Sequence, residues 1–274
     1  MKNETFGDIY EDFYQRESFA NSVEIATKDL KKFMPNGSLK GLSFLDAGSG
    51  GGLFSLAASK LNPESITSFD ISHKMISFCE KLKENSTFQK NWSISQGSIL
   101  DQHFLAQFDK FDYIYCWGVV HHTGSMWQAI DNITKLVKPN GHIYLGIYNH
   151  ADVFAIWDDR RFGSSLFWKR IKAIISHSPN FFKSFILGLA KFSYFFISIT
   201  EFIFGRYKFK NFKQRGMTSN LAIEDWLFGH PYEYASIDEV FTFMKNKGFS
   251  LEKIESNSGL RTNHFLFKKS FEEI

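Results

Sequence analysis

Residues Phe44-Leu45-Asp46-Ala47-Gly48-Ser49-Gly50-Gly51-Gly52-Leu53-Phe54 run from a short apolar stretch through a glycine-rich turn into an amphipathic pattern. Glycines at the carboxyl end of a strand let the backbone turn sharply and let a ligand approach with no Cβ in the way. A dinucleotide-binding loop would read G-x-G-x-x-G, its third glycine packing helix on strand. Counted from Gly48 and Gly50, that third position is Leu53. The pattern present is instead Asp46-x-Gly48-x-Gly50-x-Gly52.

Outward from this loop, residues 41–149 alternate short apolar runs with amphipathic stretches. Strands are expected at Leu42–Ala47, Ile66–Phe69, Trp92–Gln96, Tyr113–Trp117 and His142–Tyr148, and helices at Phe54–Lys60, His73–Lys83 and Met126–Val137. Such alternation predicts a doubly wound sheet, parallel through these five strands. Phe249–Ile254 and Asn263–Lys268, separated by a turn at Ser256–Gly259, predict a closing antiparallel hairpin at one sheet edge. The fold class expected is therefore α/β, a Rossmann-like doubly wound seven-stranded sheet with a C-terminal antiparallel hairpin and a helical insertion. By this division residues 1–40 form an N-terminal helical lid ended by Pro35-Asn36-Gly37, and 41–149 the core. Residues 150–235 are the insertion, longer than a crossover needs, and 236–274 the last helix and hairpin.

Asp70 ends the second apolar run, about twenty positions beyond the loop. A carboxylate there can accept both hydroxyls of a ribose, or it can cap the helix that follows. Gln96-Gly97-Ser98-Ile99-Leu100-Asp101 follows strand three. Phe111-Asp112-Tyr113-Ile114-Tyr115-Cys116-Trp117-Gly118-Val119-Val120-His121-His122-Thr123-Gly124 spans strand four and its loop, and Leu136-Val137-Lys138-Pro139-Asn140-Gly141 turns into strand five. In this order the five elements resemble the class I S-adenosylmethionine-dependent methyltransferases of small-molecule type. The resemblance covers the central 110 residues or so. It implies S-adenosylmethionine as cofactor, with S-adenosylhomocysteine as product. By the same resemblance Gly48, Gly50 and Gly52 would make room for the methionine part and Asp46 would order its amino group. Asp70 and Ile71 would hold the ribose side, and Ser98, Ile99 and Trp117 would frame the rest. Many members carry an acidic residue directly after the glycine of the third element; here Ser98 stands there and Asp101 comes later. Asn140 replaces a glycine and also tolerates left-handed backbone.

Methyl transfer from a sulfonium is an in-line displacement in which positioning carries much of the rate. A base is needed only where the accepting atom must shed a proton. His121 and His122, just past strand four, are the catalytic candidates, since ligands of open α/β sheets sit at that edge. The alternative is that they bind nearby backbone and fix the loop. No third ligand at a recognisable spacing supports a metal. Tyr10 and Tyr14, four apart on one helix face, would belong to a lid or simply pack. Tyr148, Arg215 and Tyr232 are further substrate-binding candidates, with His230 and Glu233 nearby, and Arg215 would grip a carboxylate or phosphate. The segments Arg215-Gly216-Met217, Asp225-Trp226-Leu227 and Pro231-Tyr232-Glu233 look like a subgroup of small-molecule methyltransferases.

Composition narrows the partners. Net charge is +3, from 32 basic and 29 acidic residues, which argues against nucleic acid. The polar, acidic start is unlike a secretion signal, and two cysteines form no framework; a cytoplasmic, reduced protein is expected. Of 32 phenylalanines, 14 lie between Phe154 and Phe228. Within 181–204, Phe182, Phe185, Leu189, Phe192, Phe196, Ile199 and Ile203 form one helical stripe, interrupted elsewhere by Lys183, Lys191 and Glu201. The stripe would cap the active site, form a homodimer interface, or lie on a membrane with Lys169, Arg170, Lys172 and the Arg206–Lys213 cluster facing headgroups. The function expected is methylation of a small molecule at oxygen or nitrogen. Its rivals are a lipid or quinone acceptor at a membrane surface, an NAD-dependent oxidoreductase, and a non-catalytic S-adenosylmethionine-binding regulator.

Overall fold

The computed structural model describes residues 18–151, 164–203 and 219–270. Helix α1 (Ser18–Lys32) leads to strand β1 (Ser43–Ala47), then α2 (Leu53–Ser59), β2 (Ser65–Asp70), α3 (His73–Glu84) and β3 (Trp92–Gln96). A short α4 (Gln102–Leu105) precedes β4 (Phe111–Trp117), α5 (Met126–Thr134) and β5 (Val137–Tyr148). Three helices follow among the described residues, α6 (Ser164–Ser176), α7 (Asn180–Ile203) and α8 (Ser219–Phe228), and then α9 (Ile237–Asn246), β6 (Phe249–Glu255) and β7 (Thr262–Lys269).

The seven strands form one sheet in the order β3-β2-β1-β4-β5-β7-β6. The first five pair parallel, and β7 runs antiparallel between β5 and β6. The central strands are apolar on both faces, as a sheet covered on both sides requires. Leu45, Ala47, Ile114, Cys116, Ile143 and Leu145 point to a core shared with α5 and α9. Phe44, Tyr113, Tyr115 and Tyr144 point the other way, against α1, α2 and Trp92. Reversal of strand order between β1 and β4 leaves a crevice at their carboxyl ends, where ligands of such sheets bind.

One boundary differs from the sequence expectation. The helix expected to reach Val137 ends at Thr134, and Val137 already pairs with Phe111 as the first residue of β5. The β-branched Val137 buries its side chain in the sheet core, which outweighs the helical period. Asn140 has φ 61°, the left-handed geometry expected for this turn.

Gly52 does not serve the ligand crevice. It opens α2 at φ 87°, and a Cβ there would lie 2.6 Å from Cys79 Sγ on α3. It is the contact that lets α2 and α3 pack. Gly52→Ala therefore combines left-handed strain with overpacking and is expected to cost about 2–3 kcal/mol, read as a lower urea midpoint at unchanged slope.

Candidate functional site

Behind the loop, Asp46 is buried at the end of β1. Trp92 Nε1 donates to Ser68 Oγ (2.8 Å), Ser68 and Ser55 hydroxyls meet at 2.8 Å, and Ser55 Oγ donates to Asp46 Oδ2 (2.5 Å). Because Ser55 spends its hydrogen on Asp46, the Ser68 hydroxyl donates to Ser55. The chain of donors thus ends on the carboxylate. Burial, reinforced by the nearby Asp70 charge and offset by Ser55, pushes the Asp46 carboxyl up to about 7.

Asp70 closes β2. Its Oδ2 accepts from Gly50 N (2.9 Å) and its Oδ1 from Ser72 N (2.8 Å). The Ile71 backbone also bears on this carboxylate, and the acceptor capacity left over is open to a ligand hydroxyl. The helix cap is a separate residue, Ser72, whose Oγ accepts from Met75 N. Desolvation raises the Asp70 carboxyl despite these donors. Gly50 sits at φ 51° with no atom within 4 Å of where a Cβ would be, so the loop is open on that side. A Cβ at Gly48 would strike Val119 at 2.3 Å.

These residues wall a cavity of about 580 Å³ that also touches Ile71, Ser98, Ile99, Trp117, His121, His122 and Tyr148. Asp46, Gly48, Gly50 and Asp70 line it as well, and Gly52 does not. Ile71 is 70% exposed at the rim. Ser98 Oγ accepts from Leu100 N, leaving its hydroxyl hydrogen available, while Asp101 caps α4 by accepting from His103 N and Phe104 N. Trp117 lies flat on β5 because residue 146 is glycine; a Cβ there would sit 2.0 Å from the indole.

The opposite end is built on the 3-10 turn Val120–His122. His122 Nδ1 lies 2.7 Å from the Pro231 carbonyl oxygen, so Nδ1 carries the hydrogen and Nε2 keeps its lone pair. Burial takes the His122 imidazole down to about 4, the Pro231 carbonyl opposing the shift and the Lys172 and His230 charges adding to it. His121 is wholly buried and burial holds it well below its ordinary value. Its Nδ1 meets no hydrogen-bonding partner among the described residues. Both rings are neutral at pH 7, and both face Tyr148, at 4.0 Å for His121 and 5.4 Å for His122 between ring centroids. Glu233 anchors the same turn: its backbone N–H donates to the His121 carbonyl (2.9 Å) and its Oε2 accepts from Met126 N (3.1 Å).

Two expectations change here. Tyr232 is 1% exposed and packs behind Tyr148 (5.1 Å), not on the cavity. Lys172 does not face headgroups. It is 1% exposed, with Nζ 4.3 Å from the Tyr232 ring centroid, 4.6 Å from Trp226 and 5.4 Å from Tyr148. On α6 it shares a face with Ser165, Trp168 and Ile175, spacings of three and four that mark the inward side. The cavity also takes Phe228, Gly229, His230 and Thr262, of which only His230 was singled out from the sequence. Tyr10, Tyr14 and Arg215 lie outside the described residues.

The arrangement suits a ligand with a cationic centre and vicinal hydroxyls. It does not suit a pyrophosphate, because the Gly50 amide already serves Asp70 and two carboxylates would face the phosphates.

A family model described as methyltransferase domain matches residues 38–175, half of the chain. A mitochondrial ubiquinone biosynthesis O-methyltransferase from Dictyostelium discoideum is 26% identical over 152 residues, 53% of this chain and 46% of that one. The ubiquinone biosynthesis O-methyltransferase of Coxiella burnetii (strain RSA 493 / Nine Mile phase I) is 27% identical over 145 residues, 53% of this chain and 60% of its own. The chain thus spans about half the length of the curated relatives it matches. In fold it is similar to magnesium protoporphyrin IX methyltransferase from Synechocystis PCC 6803 with bound S-adenosylhomocysteine, with a TM-score of 0.55 at 14% identity, covering 96% of this chain and 94% of that one. The same protein with bound S-adenosylmethionine gives 0.51 at 11%, covering 98% and 100%.

Asp46 supplies a test with a sign. Its folded pKa lies above the unfolded value, so its contribution to stability is full below about pH 4 and is lost as pH rises through about 7. At pH 8 the ionised carboxylate opposes folding of the ligand-free protein. Asp46→Asn is expected to raise the pH 8 melting temperature by roughly 2–4 °C per kcal/mol relieved, to show a smaller gain at pH 5, and to lose affinity for S-adenosylmethionine. Differential scanning calorimetry at both pH values with and without ligand reads all three.

Proposed function

The chain belongs to the methyltransferase domain family, and from that premise we propose that it moves a methyl group from S-adenosylmethionine to the hydroxyl oxygen of a small aromatic molecule. The observation that carries this reading is the division of one cavity into two ends. Two carboxylates stand beside an open glycine loop, and two neutral imidazoles stand beside a tyrosine. The curated relatives are O-methyltransferases of ubiquinone biosynthesis, which favours oxygen over nitrogen.

When bound, S-adenosylmethionine supplies an electrophilic methyl group on a sulfonium. Asp70 would accept the ribose hydroxyls through the acceptor capacity its backbone donors leave. Asp46, ionised at neutral pH once a cation stands beside it, would hold the amino end. Ile71 and Ile99 would sandwich the base, and Ser98 would meet its edge with the one hydroxyl hydrogen left to it.

At the other end His122 Nε2 takes the acceptor's proton as the oxygen attacks. A ring whose conjugate acid titrates at about 4 holds its lone pair ready at every physiological pH, yet it is a weak base. The Lys172 charge, 5.4 Å from the centre of the Tyr148 ring that lines the cavity, favours negative charge developing on that oxygen. The aromatic walls, Tyr148 and Trp117, exclude water and stack on a planar acceptor.

Incubation with radiolabelled S-adenosylmethionine and matched panels of catechols, polyhydroxybenzoates, aliphatic alcohols and amines tests the proposal. Label is expected in the hydroxyaromatic compounds only. His122→Asn is expected to lower kcat about 100-fold while calorimetric affinity for S-adenosylhomocysteine stays unchanged. Transfer to amines alone, or undiminished kcat in the variant, would overturn the assignment. Cofactor binding with no transfer to any panel member would point to a regulator instead.

A further inference from the structure

Helix α7 carries Phe181, Phe182, Phe185, Leu189, Phe192 and Phe196 on one side, and all six are exposed, Phe181 at 77% and Phe185 and Phe192 at 61%. Spacings of three and four keep Phe181, Phe185, Leu189, Phe192 and Phe196 in a single stripe. Ile199 and Ile203, which continue the period, lie outside the described side chains. The stripe therefore does not pack down as a cap on the core. Helix α6 also exposes Phe167 (53%) and Ile174 (62%), which flank the exposed Arg170 one helical turn from each. A water-facing apolar surface of this size marks a site of interaction.

Charge selects the partner. From Ser164 to Thr200 the sequence contains Lys169, Arg170, Lys172, Lys183 and Lys191 and no Asp or Glu. Lys172 is buried in its aromatic cage, which leaves Lys169 and Arg170 exposed and Lys183 and Lys191 half-buried. Two copies meeting through this region would bring these cations together, with Glu201, in the last turn of α7, the one carboxylate in the sequences of α6 and α7 to pair them. An anionic lipid surface offers both requirements at once: acyl chains for the phenylalanines and phosphates for the basic side chains. Crossing the bilayer is a different matter, since no helix among the described residues is long and apolar enough.

We propose that the exposed phenylalanine face of α7, with the basic and apolar residues of α6, docks the protein on the surface of an anionic lipid bilayer. Both helices pack on α8, and the end of α8 supplies Phe228, next to Gly229 and His230, to the cavity wall. Docking would therefore bring the cavity close to the lipid phase, where a lipophilic acceptor dissolves. The docking itself stands on α6 and α7 and does not depend on the reaction assigned above.

Co-sedimentation with large unilamellar vesicles tests this. The full chain is expected to pellet with phosphatidylglycerol/phosphatidylcholine vesicles at 0.1 M salt, and to stay in solution with phosphatidylcholine alone. Phe185→Ser/Phe192→Ser is expected to weaken partitioning by at least about tenfold, with an unchanged circular dichroism spectrum and melting temperature because both residues are exposed. Lys169→Glu/Arg170→Glu is expected to weaken it similarly at low salt and little at 1 M, where charge is screened. Wild-type protein left in the supernatant with every vesicle, or pelleting untouched by either double substitution, would overturn the proposal. So would a dimer in sedimentation velocity that the phenylalanine substitutions dissociate, which would give the stripe to a second copy.

Discussion

The cavity depends on one carboxylate at the tip of β2. Asp70 holds the loop after β1 through the Gly50 amide and the start of α3 through the Ser72 amide. Its own carbonyl accepts from Gly97 N, at the end of β3, while the Phe69 carbonyl next to it takes Gly48 N and Ser49 N. Three strand ends are thereby laced into one rim. A ligand hydroxyl arriving at Asp70 joins groups already ordered, so little further chain entropy is lost on binding.

Around that rim the electrostatics divide. The β1 and β2 ends present carboxylates whose burial and mutual repulsion favour the arrival of a cation. The β4 and β5 ends present imidazoles that burial and a caged lysine keep neutral. Both features oppose folding at some pH and are retained where a ligand would relieve or use them, as functional sites often do. Under the proposed function the two ends would serve different parts of a methyl transfer, binding a sulfonium and removing a proton, within one cavity.

Much of this was legible along the chain. Phe44 to Ala47 alternates faces of a doubly covered strand, and the glycine spacing after it disfavours a dinucleotide before any coordinate is known. Spacing alone does not separate the two roles open to Asp70; in the structure Ser72, two positions on, occupies the N-cap. Local pattern failed where distant partners decide. Nothing near Gly52 reveals Cys79, 27 positions on. Nothing near Lys172 reveals Tyr148 and Tyr232, so a lysine among lysines read as surface. Tyr232 and Glu233 likewise take their places only because the 230–233 segment is pinned to the His121-His122 turn. The α7 stripe left a cap, a dimer interface and a membrane face open, because its exposure is a property of tertiary packing that periodicity does not encode.

The central claim is that the loop and Asp70 form a site for an adenosyl sulfonium and not for a dinucleotide. Isothermal titration of the full chain with S-adenosylmethionine, S-adenosylhomocysteine and NAD, repeated on Asp70→Ala, tests it most directly. The account predicts micromolar binding of the first two, loss of both in the variant, and no heat from NAD. Tight binding of NAD with silence from S-adenosylmethionine would contradict it.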